Sequence, residues 1–324
     1  MLQIINIFLL QTGFWKIPFD IFDVHLLLLT ILKINGYHLI QIRSSIYSKL
    51  TIPPVAGGLM ETFQEHQVIY WDERPRGTSP HTLVGEEPLS IRIQGKPYSV
   101  IMRTPGDEIA HVAGFCLGEG IADDPDDLSS IAFCDGSDTN VVTVTLKKSR
   151  QEKIPHHLER REFISQTSCG LCGKEIVDEL YQTIHPMKDA SRIEIRNALN
   201  ALDTLSEHQP LRHKTRASHA AALYNSDVEL LSVAEDVGRH NALDKAIGKL
   251  FLDSKLRDAT VLVLSSRISY ELVQKAARAR IPIIFAVSRP TALAVSLASQ
   301  LNMTLVCPAK GSGAYIFCGE HRLA

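Results

Sequence analysis

The stretch TVLVLSSRISYELVQKAARARIPIIFAVSRPTALAVSLASQL, residues 260–301, decides the fold. It reads as two rounds of strand and helix. Thr260 to Leu264 is a short apolar run that predicts a strand, and Tyr270 to Arg278 carries helical spacing. Ile281 to Val287 predicts the next strand and Thr291 to Leu301 the next helix. Apolar strands separated by amphipathic helices predict an α/β domain with a mainly parallel sheet covered by helices on both faces. Two more short strands, Leu305 to Cys307 and Ala314 to Phe317, finish the chain.

Upstream, Leu230 to Ala234 predicts a strand that feeds a helix whose buried stripe is Ala242, Leu243, Ala246, Ile247 and Leu250, with Asp236 as its N-cap. Asp236, His240 and Asp244 recur every four residues and are expected to share one face. Open α/β sheets bind ligands at the carboxyl ends of their strands. Those ends read Ser265-Ser266-Arg267, Ser288-Arg289 and Pro308-Ala309-Lys310-Gly311-Ser312-Gly313. Cationic side chains, hydroxyls and glycines that free backbone N–H groups suit phosphates. None of the three is a P-loop, so NTP hydrolysis is unsupported.

The chain ahead of this domain divides in two. Residues 1–59 are rich in Ile and Leu, carry few charges and end in the turn-prone run Ile52-Pro53-Pro54-Val55-Ala56-Gly57-Gly58. Their apolar run Leu26 to Leu32 is too short for a bilayer, which takes roughly 20 residues. They are read as an atypical upstream extension, with Met60 a candidate for the native start. Residues 60–158 read as a small α+β domain, and 159–324 as the α/β domain. In the smaller unit, Leu89 to Ile93 and Tyr98 to Met102 form a hairpin turned by Gln94-Gly95-Lys96. A helix follows Thr104-Pro105-Gly106-Asp107, with Ile109, Val112, Ala113 and Cys116 on its buried face. Strands are expected at Ser130 to Phe133 and Val141 to Leu146, after the acidic run Asp123, Asp124, Asp126 and Asp127, which reads as a solvated turn. Residues 147–162 read as a charged linker and 186–218 as polar, with one helical pattern at Leu199, Leu202 and Leu205.

Near the start of the α/β domain lies Ser168-Cys169-Gly170-Leu171-Cys172-Gly173, which holds the one C-x-x-C of the chain. Apolar residues at Ile176, Val177, Leu180, Tyr181 and Ile184 predict a helix running out of it. A helix N-terminus favours thiolate over thiol, so both cysteines are candidates for sulfur chemistry. A structural zinc site would need a second ligand pair, and no second C-x-x-C supplies one. A thioredoxin-like dithiol would need a strand feeding the motif, where this chain has a polar run.

At 324 residues and 45% hydrophobic content the chain can bury a sizeable core. A net charge of −2 with interspersed signs gives no pull toward nucleic acid or an anionic membrane. Six cysteines, two of them close in sequence, fit a reducing cytoplasm better than a secreted disulfide framework.

Together these motifs resemble the formate dehydrogenase accessory sulfurtransferases (FdhD). The resemblance rests on Ile101-Met102-Arg103-Thr104-Pro105, the cysteine loop, His219-Ala220-Ala221, the run Glu235 to Gly248 and Ser266-Arg267-Ile268-Ser269. It implies a cytidine-deaminase-like fold and a sulfurtransferase. Such a protein accepts sulfur from a cysteine desulfurase as a persulfide on Cys169, with Cys172 assisting or releasing it. The sulfur passes to the molybdenum bis(molybdopterin guanine dinucleotide) cofactor of formate dehydrogenase, a bound acceptor rather than a resident group. The resemblance also implies a homodimer and contact with the formate dehydrogenase catalytic subunit. The implied cofactor-binding residues are Pro308 to Gly313, Ser266, Arg267, His219, Arg239 and His240; no metal ligands are expected. Where the family has Thr-Gly-Gly-x-His, this chain has Thr215-Arg216-Ala217-Ser218-His219. The rival readings are a cofactor-binding chaperone that transfers no sulfur and a zinc-dependent deaminase. The deaminase needs a third metal ligand and an acid/base glutamate beside the two cysteines.

Overall fold

The computed structural model describes residues 61–135, 138–154, 184–188, 191–311 and 313–324. The extension at 1–59, the 158/159 boundary, Cys169, Cys172, the helix expected at 174–183 and Ser312 lie outside them. Within them, β1 (Phe63–Asp72) and β2 (Arg74–Val84) form an antiparallel hairpin, with Ile69, Tyr70 and Trp71 exposed near its tip. The sequence reading assigns no strand here. Pro75, Gly77 and Pro80 interrupt the alternation that marks a half-buried strand.

The smaller sheet has the order β4-β3-β6-β5, from β3 (Glu87–Ile93), β4 (Lys96–Arg103), β5 (Leu128–Asp135) and β6 (Asp138–Leu146). The expected hairpin turn is present: Gln94 and Gly95 both take positive φ, at 54° and 75°, as a type I′ turn requires. Helix α1 (Glu108–Gly118) buries Val112, Ala113 and Cys116 as the spacing predicts. The acidic run is used structurally. Asp124 caps a 3-10 turn, and Asp123 pairs with Arg150 of the short α2 (Lys148–Gln151) and with Arg278.

The rest of the chain holds α3 (Ile195–Asp203), α4 (Pro210–Thr215), β7 (His219–Tyr224), β8 (Leu230–Asp236) and α5 (Arg239–Leu252). After these come β9 (Val261–Arg267), α6 (Tyr270–Arg278), β10 (Ile283–Ser288), α7 (Ala292–Gln300), β11 (Thr304–Pro308) and β12 (Ala314–Cys318). The six strands lie in the order β12-β11-β10-β9-β7-β8. The expectation of a mainly parallel sheet needs correction: the sheet is mixed. Only β9, β10 and β11 pair in parallel, while β7 is inserted antiparallel between β8 and β9, and β12 returns antiparallel to β11. Both exceptions are hairpin connections, which are too short for a parallel crossover. Strand β7 carries Ala220, Ala221 and Ala222, residues of low strand propensity, so it shows no strand signal in the sequence.

One apolar cluster joins the two sheets through helices, including Ile91, Val144, Phe115, Leu243, Ile247, Leu264 and Ile284. A second cluster covers the other face of the larger sheet, where Leu202 and Leu205 meet Val263 and Phe285. The tightest approach is α1 on α5. A Cβ on Gly248 would stand 1.7 Å from the Ala110 carbonyl oxygen, and one on Gly114 would stand 1.9 Å from that of Asp244.

Candidate functional site at the strand edge

Strand β8 runs antiparallel to β7, and β7 antiparallel to β9, so β8, β9, β10 and β11 all point the same way. Their carboxyl ends finish on one edge, where α5, α6 and α7 begin. The expected strand-end residues stand there. Ser266 is buried and Arg267 exposed at the end of β9, with Arg267 in register with Ser288 of β10. Cys307 at the end of β11 donates its thiol to the Ser288 carbonyl at 3.2 Å. Arg289 lies over the ring of Tyr315, 4.9 Å from its centroid. Pro308 to Gly313 link β11 to β12; the Ala309 amide donates to the Gly313 carbonyl at 2.8 Å, and Gly311 takes a φ of 72°. Pro308, Lys310, Gly311 and Gly313 are exposed there.

His219 reaches the same edge from the opposite direction, as the first residue of β7. It is held there because the Ala220 amide donates to Ser265 Oγ at 2.8 Å. Arg239 and His240 occupy the first turn of α5, whose N-cap, Gly238, offers no side chain to the helix amides. His240 Nε2 lies 3.2 Å from Ser269 Oγ and 3.8 Å from the Glu271 carboxylate. The starts of α5 and α6 therefore converge, placing two positive helix ends beside Arg239. The buried atoms His219 Nδ1 and Arg239 Nε have no protein partner. Ser269 and Glu271 are additions that the periodicity did not single out, although Ser269 lies in a motif that carries the family resemblance.

The charge of the edge is set by its arginines. Burial, then Arg239 and Lys275, push His240 down to about 4, and Glu271 opposes them. Burial, then Arg239 and Arg212, lower His219. Both rings are neutral at pH 7. In the unfolded chain these histidines take up protons near pH 6.5, and the folded chain refuses them until lower pH. For His240 the unfolded state thus binds more protons between about 6.5 and 4, so its contribution to stability is complete above that window and falls as pH drops through it; buried His111 acts in the same direction, and Asp244, raised to about 6 by burial, opposes them. Thermal melts between pH 7 and 4 are expected to show this decline, and His240→Gln to flatten it. An unchanged slope in that variant would show that the protons bind elsewhere.

The expected shared face of Asp236, His240 and Asp244 does not form. Asp236 is the last residue of β8 rather than the helix N-cap, because α5 starts only at Arg239. Its buried carboxylate accepts from the Thr104 amide at 3.0 Å and the Gly238 amide at 2.8 Å, and pairs with Lys245 at 2.7 Å. Asp244 faces inward to Lys275 at 2.9 Å. Only Arg239 and His240 of this motif belong to the edge. Arg216, where the resemblance implies glycine, takes a φ of 56°, a conformation glycine adopts without strain. A separate groove of about 710 Å³, lined by residues including Asp107, Phe133, Leu231 and Leu252, shares no residue with the edge.

These features define a mixed α/β protein whose strand edge gathers Arg239, Arg267 and Lys310 beside the starts of α5 and α6. The sequence profile of the FdhD/NarQ family matches residues 84–324. The sulfur carrier protein FdhD of Streptomyces coelicolor is 43% identical over 257 residues, covering 76% of this chain and 90% of the relative. That of Mycobacterium tuberculosis is 38% identical over 258 residues, covering 76% and 93%. The chain belongs to the FdhD/NarQ family. A crystal structure from Desulfotalea psychrophila, designated a candidate formate dehydrogenase accessory protein, matches the fold with a TM-score of 0.66 at 21% identity. The match covers 81% of this chain and all of that one.

Proposed function

We propose that this protein is a sulfur carrier for formate dehydrogenase, loaded on Cys169 and discharged onto the molybdenum bis(molybdopterin guanine dinucleotide) cofactor. The observation that carries the reading is the Cys169-x-x-Cys172 pair in a chain whose relatives are named sulfur carrier proteins. The Cys169 thiolate attacks the terminal sulfur of a cysteine desulfurase persulfide. The old S–S bond breaks, the desulfurase thiolate leaves, and the new persulfide sits on Cys169 with no net change in oxidation. Cys172 then assists delivery, or attacks Cys169 to form a disulfide and release sulfide, the two thiols supplying the electrons.

The strand edge is the proposed seat of the cofactor, which is the substrate here. Arg239, Arg267 and Lys310 would meet its diphosphates, backbone amides of the Pro308 to Gly313 segment such as those of Lys310 and Gly311 would donate to them, Ser266 would shape the end of β9 with its hydroxyl bonded to the Arg267 carbonyl, and neutral His219 and His240 would orient the cofactor. The proposed reading takes with it what the resemblance implies: a cytidine-deaminase-like sheet and a homodimer working in the cytoplasm, where thiols stay reduced. No helix among the described residues is long and apolar enough to cross a membrane. Chain length supports the transfer. Cys169 lies fifteen residues from Ile154 and fifteen from Ile184, both buried in the described structure. Fifteen extended residues span up to about 50 Å, and the helix expected at 174–183 shortens the second tether to roughly 30 Å, still more than the length of the strands of the larger sheet.

Mass spectrometry after incubation with a cysteine desulfurase and free cysteine tests the loading step. One added sulfur, mapped to Cys169 and removed by reductant, is expected. No gain with an active desulfurase would favour the chaperone that transfers no sulfur.

A further inference from the structure

We infer that Thr104, Asp236 and Lys245 form a positioning unit that sets where the N-terminus of α5, and with it Arg239 and His240, stands on the strand edge. The unit is a buried joint between two distant parts of the chain. Thr104 follows β4, and its side chain and backbone meet the β8-to-α5 connection at every polar atom. Its amide donates to Asp236 Oδ2 at 3.0 Å, its Oγ1 accepts from the Val237 amide at 3.0 Å, and its carbonyl accepts from Lys245 Nζ at 2.7 Å. Asp236 Oδ1 holds the Gly238 amide at 2.8 Å. Asn241 Nδ2 ties α5 to the Met102 carbonyl at 2.8 Å and to Asp236 Oδ1 at 2.9 Å.

The three residues ahead of Arg239 are therefore pinned one after another. Thr104, Asp236 and Lys245 are 1%, 0% and 2% exposed, so water does not compete for these bonds. Gly238 belongs to the same arrangement: a Cβ there would stand 2.7 Å from Asn241 Nδ2. Arg239, by contrast, keeps a buried Nε with no protein partner. Its backbone is held by the joint while this one donor is left without a protein acceptor, as a pre-organised ligand contact should be.

The ligand readout rests on the proposed phosphate-binding edge, so the test pairs it with one that does not. Thr104→Val keeps shape but removes the oxygen that holds the Val237 amide, whereas Thr104→Ser keeps that oxygen. GDP is the probe, titrated calorimetrically, and the His240 imidazole nitrogen signals are followed by NMR without ligand. Thr104→Val is expected to bind GDP about tenfold more weakly, the effect of one lost hydrogen bond, and to shift the His240 signals. Thr104→Ser should restore both. Asn241→Ala, which cuts the tie from the α5 side, should behave like Thr104→Val. Unchanged His240 signals in Thr104→Val would overturn the inference, as would equal losses in Thr104→Val and Thr104→Ser. Failure of the unaltered protein to bind GDP would count against the phosphate-binding edge alone, with the His240 signals still deciding the joint.

Discussion

Cys169→Ala is expected to abolish activation of formate dehydrogenase in a strain lacking its own copy of this protein. The effect should be near total because the proposed reading puts the transferred sulfur on this one thiol. The carrier must present a thiolate, accept a sulfane sulfur and release it, and an alanine can form no S–S bond. The buried cysteines are poorly suited, and the exposed Cys134 lies on β5 of the smaller sheet, outside the C-x-x-C pair. Cys116 is fully buried with its thiol pushed well above the usual range, and burial raises Cys307 to about 11. Cys172→Ala should leave part of the activity if Cys172 only assists, and none if it releases the sulfur. Formate dehydrogenase activity and its content of sulfurated cofactor are the measurements, with the thermal midpoint of each variant as the control for folding. Full activity in Cys169→Ala would remove the sulfur-carrier reading.

The second large effect is on the fold itself. Gly248→Ala and Gly114→Ala are expected to leave little folded protein, because each new methyl would overlap a backbone carbonyl of the facing helix. Ordinary overpacking costs about 1–3 kcal/mol through side-chain shifts. Here no side chain can give way, so α1 and α5 must separate, opening the cluster that holds Phe115, Leu243 and Ile247. That exceeds the usual case in a domain whose whole stability is about 5–15 kcal/mol. Gly118→Ala provides the contrast. Its added methyl meets the flexible Lys275 side chain at 2.9 Å, so a milder loss is expected. Soluble yield and thermal midpoint distinguish them, and equal midpoints for Gly248→Ala and Gly118→Ala would show that the helices separate easily.

Much of the α/β half was legible because its elements follow single rules. Tyr270–Arg278 begins and ends where the helical spacing does, and Thr291 caps α7 by accepting from the Ala294 amide at 3.2 Å. The strand-end residues follow from the direction of the sheet, which the apolar runs announce. What stayed hidden depends on contacts between distant residues. Nothing near Asp236 in sequence reveals Thr104, so its carboxylate read as a helix cap exposed to a site. The three alanines of β7 fit because helices pack closely there, and close packing leaves no periodic trace. A deaminase reading looks for His-x-Glu ahead of Cys-x-x-C. The chain does carry His157-Leu158-Glu159 before the cysteine pair, outside the described residues, so a zinc assay is the direct measurement for that rival.

The joint at Thr104 also has a bearing on time. Its bonds connect residues 132 to 141 positions apart. At roughly 5–20 residues per second, synthesis delivers Asp236 and Lys245 on the order of ten seconds after Thr104. Until then the amide, hydroxyl and carbonyl of Thr104 lack these partners, and closing so long a loop is itself slow. The strand edge is thus assembled late in the life of the nascent chain, so any ligand it takes meets only a finished molecule.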